Sequence, residues 1–106
     1  MFNIEGTTIY ITRGDSAEFN INIIGADGNS YELQEGDLVE FTVKEDVYSS
    51  EVLIHKTGTN VVIDPSDTSK MGYGTYVYDV QVTLSNGTVD TIIPPSEFRV
   101  LSEVTF

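Results

Sequence analysis

The sequence holds no cysteine, no tryptophan, one histidine, three prolines and only five basic residues. Without cysteine there is no disulfide scaffold, no thiolate metal site and no cysteine nucleophile. Five Lys and Arg against 17 Asp and Glu leave a net charge of −12. Phosphate backbones are bound by clustered cations, so nucleic acid is not expected as a direct ligand. No run approaches the roughly 18 apolar residues of a spanning helix, so no membrane partner is expected. Residues 1–15 have neither a basic leader nor a long apolar stretch, so no signal peptide is expected. What remains is 106 residues, 40% hydrophobic, enough for one packed core and read as a single domain, 1–106.

The dominant period is two, the mark of half-buried strands. Over residues 17–24, Ala17, Phe19, Ile21 and Ile23 share one face and Glu18, Asn20 and Asn22 the other. Val39, Phe41 and Val43 alternate in the same way over 38–44, and Tyr76, Tyr78, Val80, Val82 and Leu84 over 76–84. Residues 7–12 are β-branched and aromatic, which suits a pleated surface. Residues 52–56 and 60–64 read as a pair joined across Thr57-Gly58-Thr59. Residues 88–93 and 97–104 are separated by Pro94-Pro95, which cannot donate to a ladder and so mark a break or an edge crossing.

Turn chemistry punctuates these runs. Asn86-Gly87 predicts a type I′ hairpin, in which both central residues take positive φ. Residues 25–29 predict a second turn, closing onto Tyr31–Leu33. Asp64-Pro65-Ser66-Asp67 predicts one short helical turn near 65–71, with Asp64 as cap and Pro65 in the first position, ended by Gly72 and Gly74. Seven to nine short strands at this spacing predict an all-β fold, an antiparallel Ig-like β-sandwich. Residues 74–78 match the corner before an Ig F strand, where a Tyr hydroxyl ties back to upstream backbone. On that reading Tyr76 is the corner residue, and Tyr78 stands where antibody domains carry a cysteine.

The reactive side chains form no motif. His55 lacks an adjacent nucleophile or orienting carboxylate in the sequence and is read as a strand residue. Glu32, Glu35 and Asp37 cluster in one loop, and Asp15 and Glu18 flank a strand start. With 17 carboxylates such pairs arise by chance. Asp27-Gly28-Asn29 opens like a calcium loop but lacks the later Gly and bidentate Glu. Arg13-Gly14-Asp15 spells an adhesion tripeptide, and Asn86-Gly87-Thr88 a glycosylation acceptor; turn chemistry accounts for both. Tyr10, Tyr48 and Tyr73 are the tyrosines expected at the surface, with Tyr76 and Tyr78 inward. The expectation is therefore no catalytic residue, no metal ligand, no cofactor and no enzyme, with a ligand- or carbohydrate-binding Ig-like module as the alternative to an assembly role.

One resemblance spans nearly the whole chain. Its residues are Thr12-Arg13-Gly14-Asp15-Ser16, Asp27-Gly28-Asn29, Tyr31-Glu32-Leu33, Gly36-Asp37, Phe41-Thr42-Val43-Lys44, Asp64-Pro65, the run Tyr73 to Asp79, and Phe98-Arg99-Val100. In this order they resemble small structural proteins of phages and prophages of Gram-positive bacteria. They are similar to the Ig-like N-terminal domain of phage baseplate upper proteins, which in that family resembles an anchor docking a receptor-binding apparatus to the tail. The resemblance implies a virion structural protein of the tail or baseplate, or of the neck or head decoration. It also implies other virion proteins or a homo-oligomer as partners, and residence in the virion or, before assembly, in the host bacterial cytoplasm.

Overall fold

The computed structural model describes residues 2–24 and 28–103. Eight strands and one helical turn follow in order: β1 (Phe2–Glu5), β2 (Thr8–Thr12), β3 (Ala17–Asn20), β4 (Leu38–Lys44), β5 (Ile54–Thr57), β6 (Asn60–Ile63), α1 (Pro65–Thr68), β7 (Gly74–Thr83) and β8 (Val89–Leu101). The chain is all-β, as the period-two patterning predicts. Where a strand alternates, burial alternates with it: Val39, Phe41 and Val43 are buried on β4, and Tyr78, Val80 and Val82 on β7.

The strands form two sheets. The larger runs β1-β2-β8-β7-β4-β5 and the smaller is the β3-β6 ladder. The expectation of purely antiparallel pairing needs correction, because β2 lies parallel to β8, with Ile9 beside Phe98 and Thr12 beside Leu101. The remaining pairings are antiparallel. The apolar faces of both sheets meet in one core, with Ala17, Val61 and Ile63 from the ladder facing the inward residues of the larger sheet. At its centre Phe41 contacts Phe19 across the two sheets, with ring centroids 5.7 Å apart and nearly perpendicular. It also contacts Tyr78 at 5.3 Å and Phe98 at 6.3 Å within its own sheet. These separations are those at which aromatic rings attract beyond their buried area.

Four local expectations change. Residues 54–57 and 60–63 are not a hairpin: β5 pairs with β4 and β6 with β3, so the chain crosses between sheets at Gly58. Gly58 takes φ of +91°, which a side chain would resist. Pro94-Pro95 does not break β8. Tyr78 faces Ser96 while Val80 faces Ile93, so two residues of β8 oppose Asp79 alone. That is a bulge, the place inside a sheet where proline is tolerated. Asn86-Gly87 does turn the chain, but only Gly87 has positive φ. The Gly87 N–H donates to Leu84 O and the Leu84 N–H to Thr88 O, which makes a three-residue loop with glycine at its left-handed position rather than a type I′ turn. Residues 31–33 form no strand; the chain holds there by an Ile24–Ser30 bridge and the Tyr31 N–H on Ile23 O.

The helical turn is as expected, if shorter than the 65–71 window. Pro65 opens it and the Asp67 carboxylate accepts the Asp64 backbone N–H at 2.7 Å. The corner before β7 also forms: the Tyr76 hydroxyl donates to Gly72 O at 2.7 Å. β1 lies outside the predicted runs. Its signal was Gly6, whose φ of +60° makes a two-residue turn with Thr7 between Glu5 and Thr8.

A second tie fixes the loop between β3 and β4. The Asp37 carboxylate accepts the Tyr31 hydroxyl at 2.7 Å, the Gln34 N–H at 2.9 Å and the Ser85 N–H at 2.9 Å. Gly36 beside it has φ of +88°, and a Cβ there would sit 3.0 Å from Ser85 Cβ. Gly36→Ala should therefore cost about 1–2 kcal/mol from the left-handed backbone alone. The crowding against Ser85 adds to that. A thermal melt checks it, and a melting temperature equal to wild type would contradict the tie.

Candidate interaction surface

The outward face of the larger sheet carries the side chains that the core does not use. Glu40, Thr42 and Lys44 project from β4, Val77, Asp79 and Gln81 from β7, and Glu97 and Arg99 from β8. Strand register sets them in rows: Thr42 lies between His55 and Asp79, and Val77 between Lys44 and Glu97. The His55 Nε2 lies 2.8 Å from Glu40 Oε2, and Arg99 reaches Glu97 at 2.8 Å. Both pairs are well exposed, where an ion pair contributes little stability.

A groove of about 230 Å³ opens on this face, lined by Lys44, Asp46, Val47, Val77, Asp79 and Pro95 among others. The bulge contributes to its wall: Pro95, one of the two residues set against Asp79, lines it. The volume lies under the roughly 300 Å³ at which pockets enclose drug-sized molecules, so the shape suits a side chain of a larger partner. The β4–β5 loop carries Val47 into the groove's lining and presents Tyr48, its neighbour in the chain, 94% exposed. This loop is braced by its own bonds. Asp46 Oδ1 accepts the Tyr48 N–H at 2.8 Å, Asp46 O accepts the Ser49 N–H, and Ser49 Oγ accepts the Glu51 N–H. A fully presented aromatic on a braced loop is the feature that contact surfaces favour.

Burial pushes the Asp79 carboxyl above its ordinary value, with Lys44 opposing and Glu40 adding to the shift. Burial likewise pushes the Tyr78 phenol up to about 12. Its hydroxyl donates to Thr7 O. Tyr31 is raised as well, first by the hydrogen bond that it gives Asp37. The sign for Tyr78 follows from burial disfavouring the phenolate. Stability from this group is intact below the unfolded value of 10 and falls as pH rises through about 12. Absorbance at 295 nm should show Tyr78 and Tyr31 ionising late. Tyr78→Phe should remove the last step; an unchanged titration curve would contradict the burial.

The other sequence candidates separate. Arg13 is committed to structure: Nε donates to Glu103 at 2.7 Å, Nη2 to the Tyr73 hydroxyl at 3.0 Å, and the guanidinium lies 4.4 Å from the Tyr73 ring centroid. The Gly14 N–H donates to Thr68 Oγ1. The Arg13-Gly14-Asp15 tripeptide is thus a turn with its arginine clamped, unlike a freely presented adhesion loop. Asp37 serves the loop tie, while Glu32 and Glu35 stay exposed beside it. Glu18 Oε2 accepts from Asn60 across the β3-β6 ladder. Asn86 Oδ1 accepts the Thr88 N–H within its turn. Asp27 of the calcium-like loop, and the terminal residues Val104 to Phe106, lie outside the described residues. Among the described residues no group of three or more His, Asp or Glu could hold a metal ion, and no helix is long and apolar enough to cross a membrane. Tyr10, Tyr48 and Tyr73 do reach the surface, Tyr10 half-covered under Arg99. The sequence showed that Tyr48 was exposed but not that a groove lies beside it. No protein-family model matches the chain, and no curated protein does either.

Proposed function

We propose that this chain is a non-enzymatic virion structural protein of a phage or prophage, a component of the tail, baseplate, neck or head decoration. On this reading it acts by protein–protein assembly. The observation that carries it is Tyr48, held fully exposed on a braced loop beside a groove sized for a partner's side chain. The motif order that resembles baseplate upper proteins supplies the setting. Support for an Ig-like module comes from the strand order. β3 and β6 make one layer, β5-β4-β7-β8 the other, β2 runs parallel beside β8, and a tyrosine corner precedes β7. The partners on this reading are other virion proteins or further copies of the chain, met in the virion or in the host bacterial cytoplasm.

The test is the particle. Gradient-purified virions from an induced host, probed by quantitative mass spectrometry, should contain the chain at a fixed copy number relative to the major tail or head protein. Its absence from intact particles would overturn the reading. An exposed tyrosine beside a polar groove also suits a sugar ring, so a carbohydrate-binding module is the second reading. Binding on a glycan array that Tyr48→Ala abolishes would favour it.

A further inference from the structure

We infer that the groove between the β4–β5 loop and the β8 bulge receives an arginine or lysine side chain from a basic segment of another protein, with Tyr48 and Val47 packing on the aliphatic part of that side chain. This rests on the assembly reading and names its partner's chemistry.

The argument starts from Asp79. It lies on β7 between β4 and β8, half-buried, on the outward face. Among the described residues no donor is hydrogen-bonded to its carboxylate; Lys44 acts on it by charge alone. A partner that covered the groove with apolar groups alone would take the carboxylate out of solvent with no donor bonded to it, a cost that the charge of Lys44 offsets only in part. The occupant must therefore bring a donor, and a positively charged one recovers most. A guanidinium is the best match, because its planar fork meets a carboxylate with two hydrogen bonds. Val47, Val77 and Pro95 line the same groove and suit the methylene stem of such a side chain. Tyr48, next to Val47 in the chain and 94% exposed, is free to supply a ring face for the cation or its stem.

Charge decides between a second copy and another protein. A copy carries the same −12 and five basic residues. Arg13, Lys56 and Arg99 are paired within the chain to Glu103, Asp67 and Glu97, and Lys44 lines the groove itself. Among the described residues that leaves Lys70 as the one lysine or arginine with neither an ion pair nor a place in the groove, and Arg99 as the most exposed of the paired ones, so a copy has few cations to lend against mutual repulsion of two acidic surfaces. A basic segment of a different protein meets attraction at every approach.

The probe is a capped hexapeptide of alternating valine and arginine, titrated into the ¹⁵N-labelled full chain. Its citrulline counterpart, equal in shape but neutral, is the control. The expected result is saturable amide shifts centred on Lys44, Asp46, Tyr48, Val77 and Asp79, absent with citrulline. Asp79→Asn and Tyr48→Ala should each weaken binding at least about fivefold, the range of one lost charged contact or one aromatic anchor. Glu35→Gln, an exposed carboxylate in the loop before β4, at the opposite end of that strand from Lys44, should leave it unchanged. Tyr48 is solvent-exposed, so its variant tests the surface without risk to the core. Shifts scattered over all acidic residues, equal loss in Glu35→Gln, or no saturable shifts would overturn the inference. So would shifts at these residues on simple dilution, which would show a second copy in the groove. Failure here with the chain present in particles overturns only the groove, whereas absence from particles overturns the assembly reading and leaves the titration to be judged alone.

Discussion

Phe41→Ala should destabilise the fold by about 3–5 kcal/mol, the range for emptying a buried phenylalanine site. Phe41 is 0% exposed and sits on β4, which is paired on both sides by β5 and β7. Its ring is the meeting point of three others, Phe19 from the small sheet and Tyr78 and Phe98 from the large one. Alanine removes the ring and the edge contacts together, and neighbours held in a sheet on either side cannot collapse into the space. At about 1.4 kcal/mol per tenfold, the folded-to-unfolded ratio falls by about two to three and a half orders of magnitude. A domain of this size has about 5–15 kcal/mol in total, so much of its stability is at stake. Urea melts should show a large drop in midpoint at unchanged slope. Phe41→Leu, which keeps most of the volume, should cost less than half as much. Equal midpoints for Phe41→Ala and wild type would mean that this ring is not the centre of the core.

The alternation that predicts Phe41 inward also predicts most of the strands, and the reason is local. On a half-buried strand each residue's environment is set by its parity, and parity is printed in the sequence. What parity cannot show is which strand pairs with which. Residues 54–57 and 60–63 alternate as a hairpin would, yet they belong to different sheets. The difference lies in the chain's crossing at Gly58, fixed by what β4 and β3 offer on either side. The parallel contact of β2 with β8 is hidden for the same reason, since the two lie at opposite ends of the chain. Pro94-Pro95 misled in the other direction. The missing N–H groups matter only where a neighbour needs them, and β2 covers β8 only at Phe98–Leu101. The candidate surface was legible in part. Tyr48 follows Asp46-Val47 in a polar loop and reads as exposed. The groove takes Pro95 from the two β8 residues that bulge against Asp79, a register detail with no local signal.

Thr68→Val tests the tie between two turns that the alternation does not reach. Among the described residues Thr68 is, apart from the Tyr78 phenol, the only buried polar one, at 0% exposure, and its Oγ1 accepts the Gly14 N–H at 2.9 Å. Gly14 has φ of +85° in the turn that leads into β3. The same turn is held on its other side by the Arg13 N–H on Leu101 O and by the Arg13–Glu103 pair. Valine keeps the volume of threonine and removes the acceptor, so packing is spared while a partly buried N–H loses its partner. The expected cost is about 1–3 kcal/mol, the penalty of an unsatisfied donor. Thr68→Ser loses one methyl and keeps the acceptor, and should cost about 1 kcal/mol. Stability alone does not separate lost packing from a lost bond, but hydrogen exchange does. The Gly14 amide should stay protected in wild type and Thr68→Ser and exchange fast in Thr68→Val. Protection that survives in Thr68→Val would show that the turn is held by the Arg13 side alone, and that Thr68 is buried for its shape.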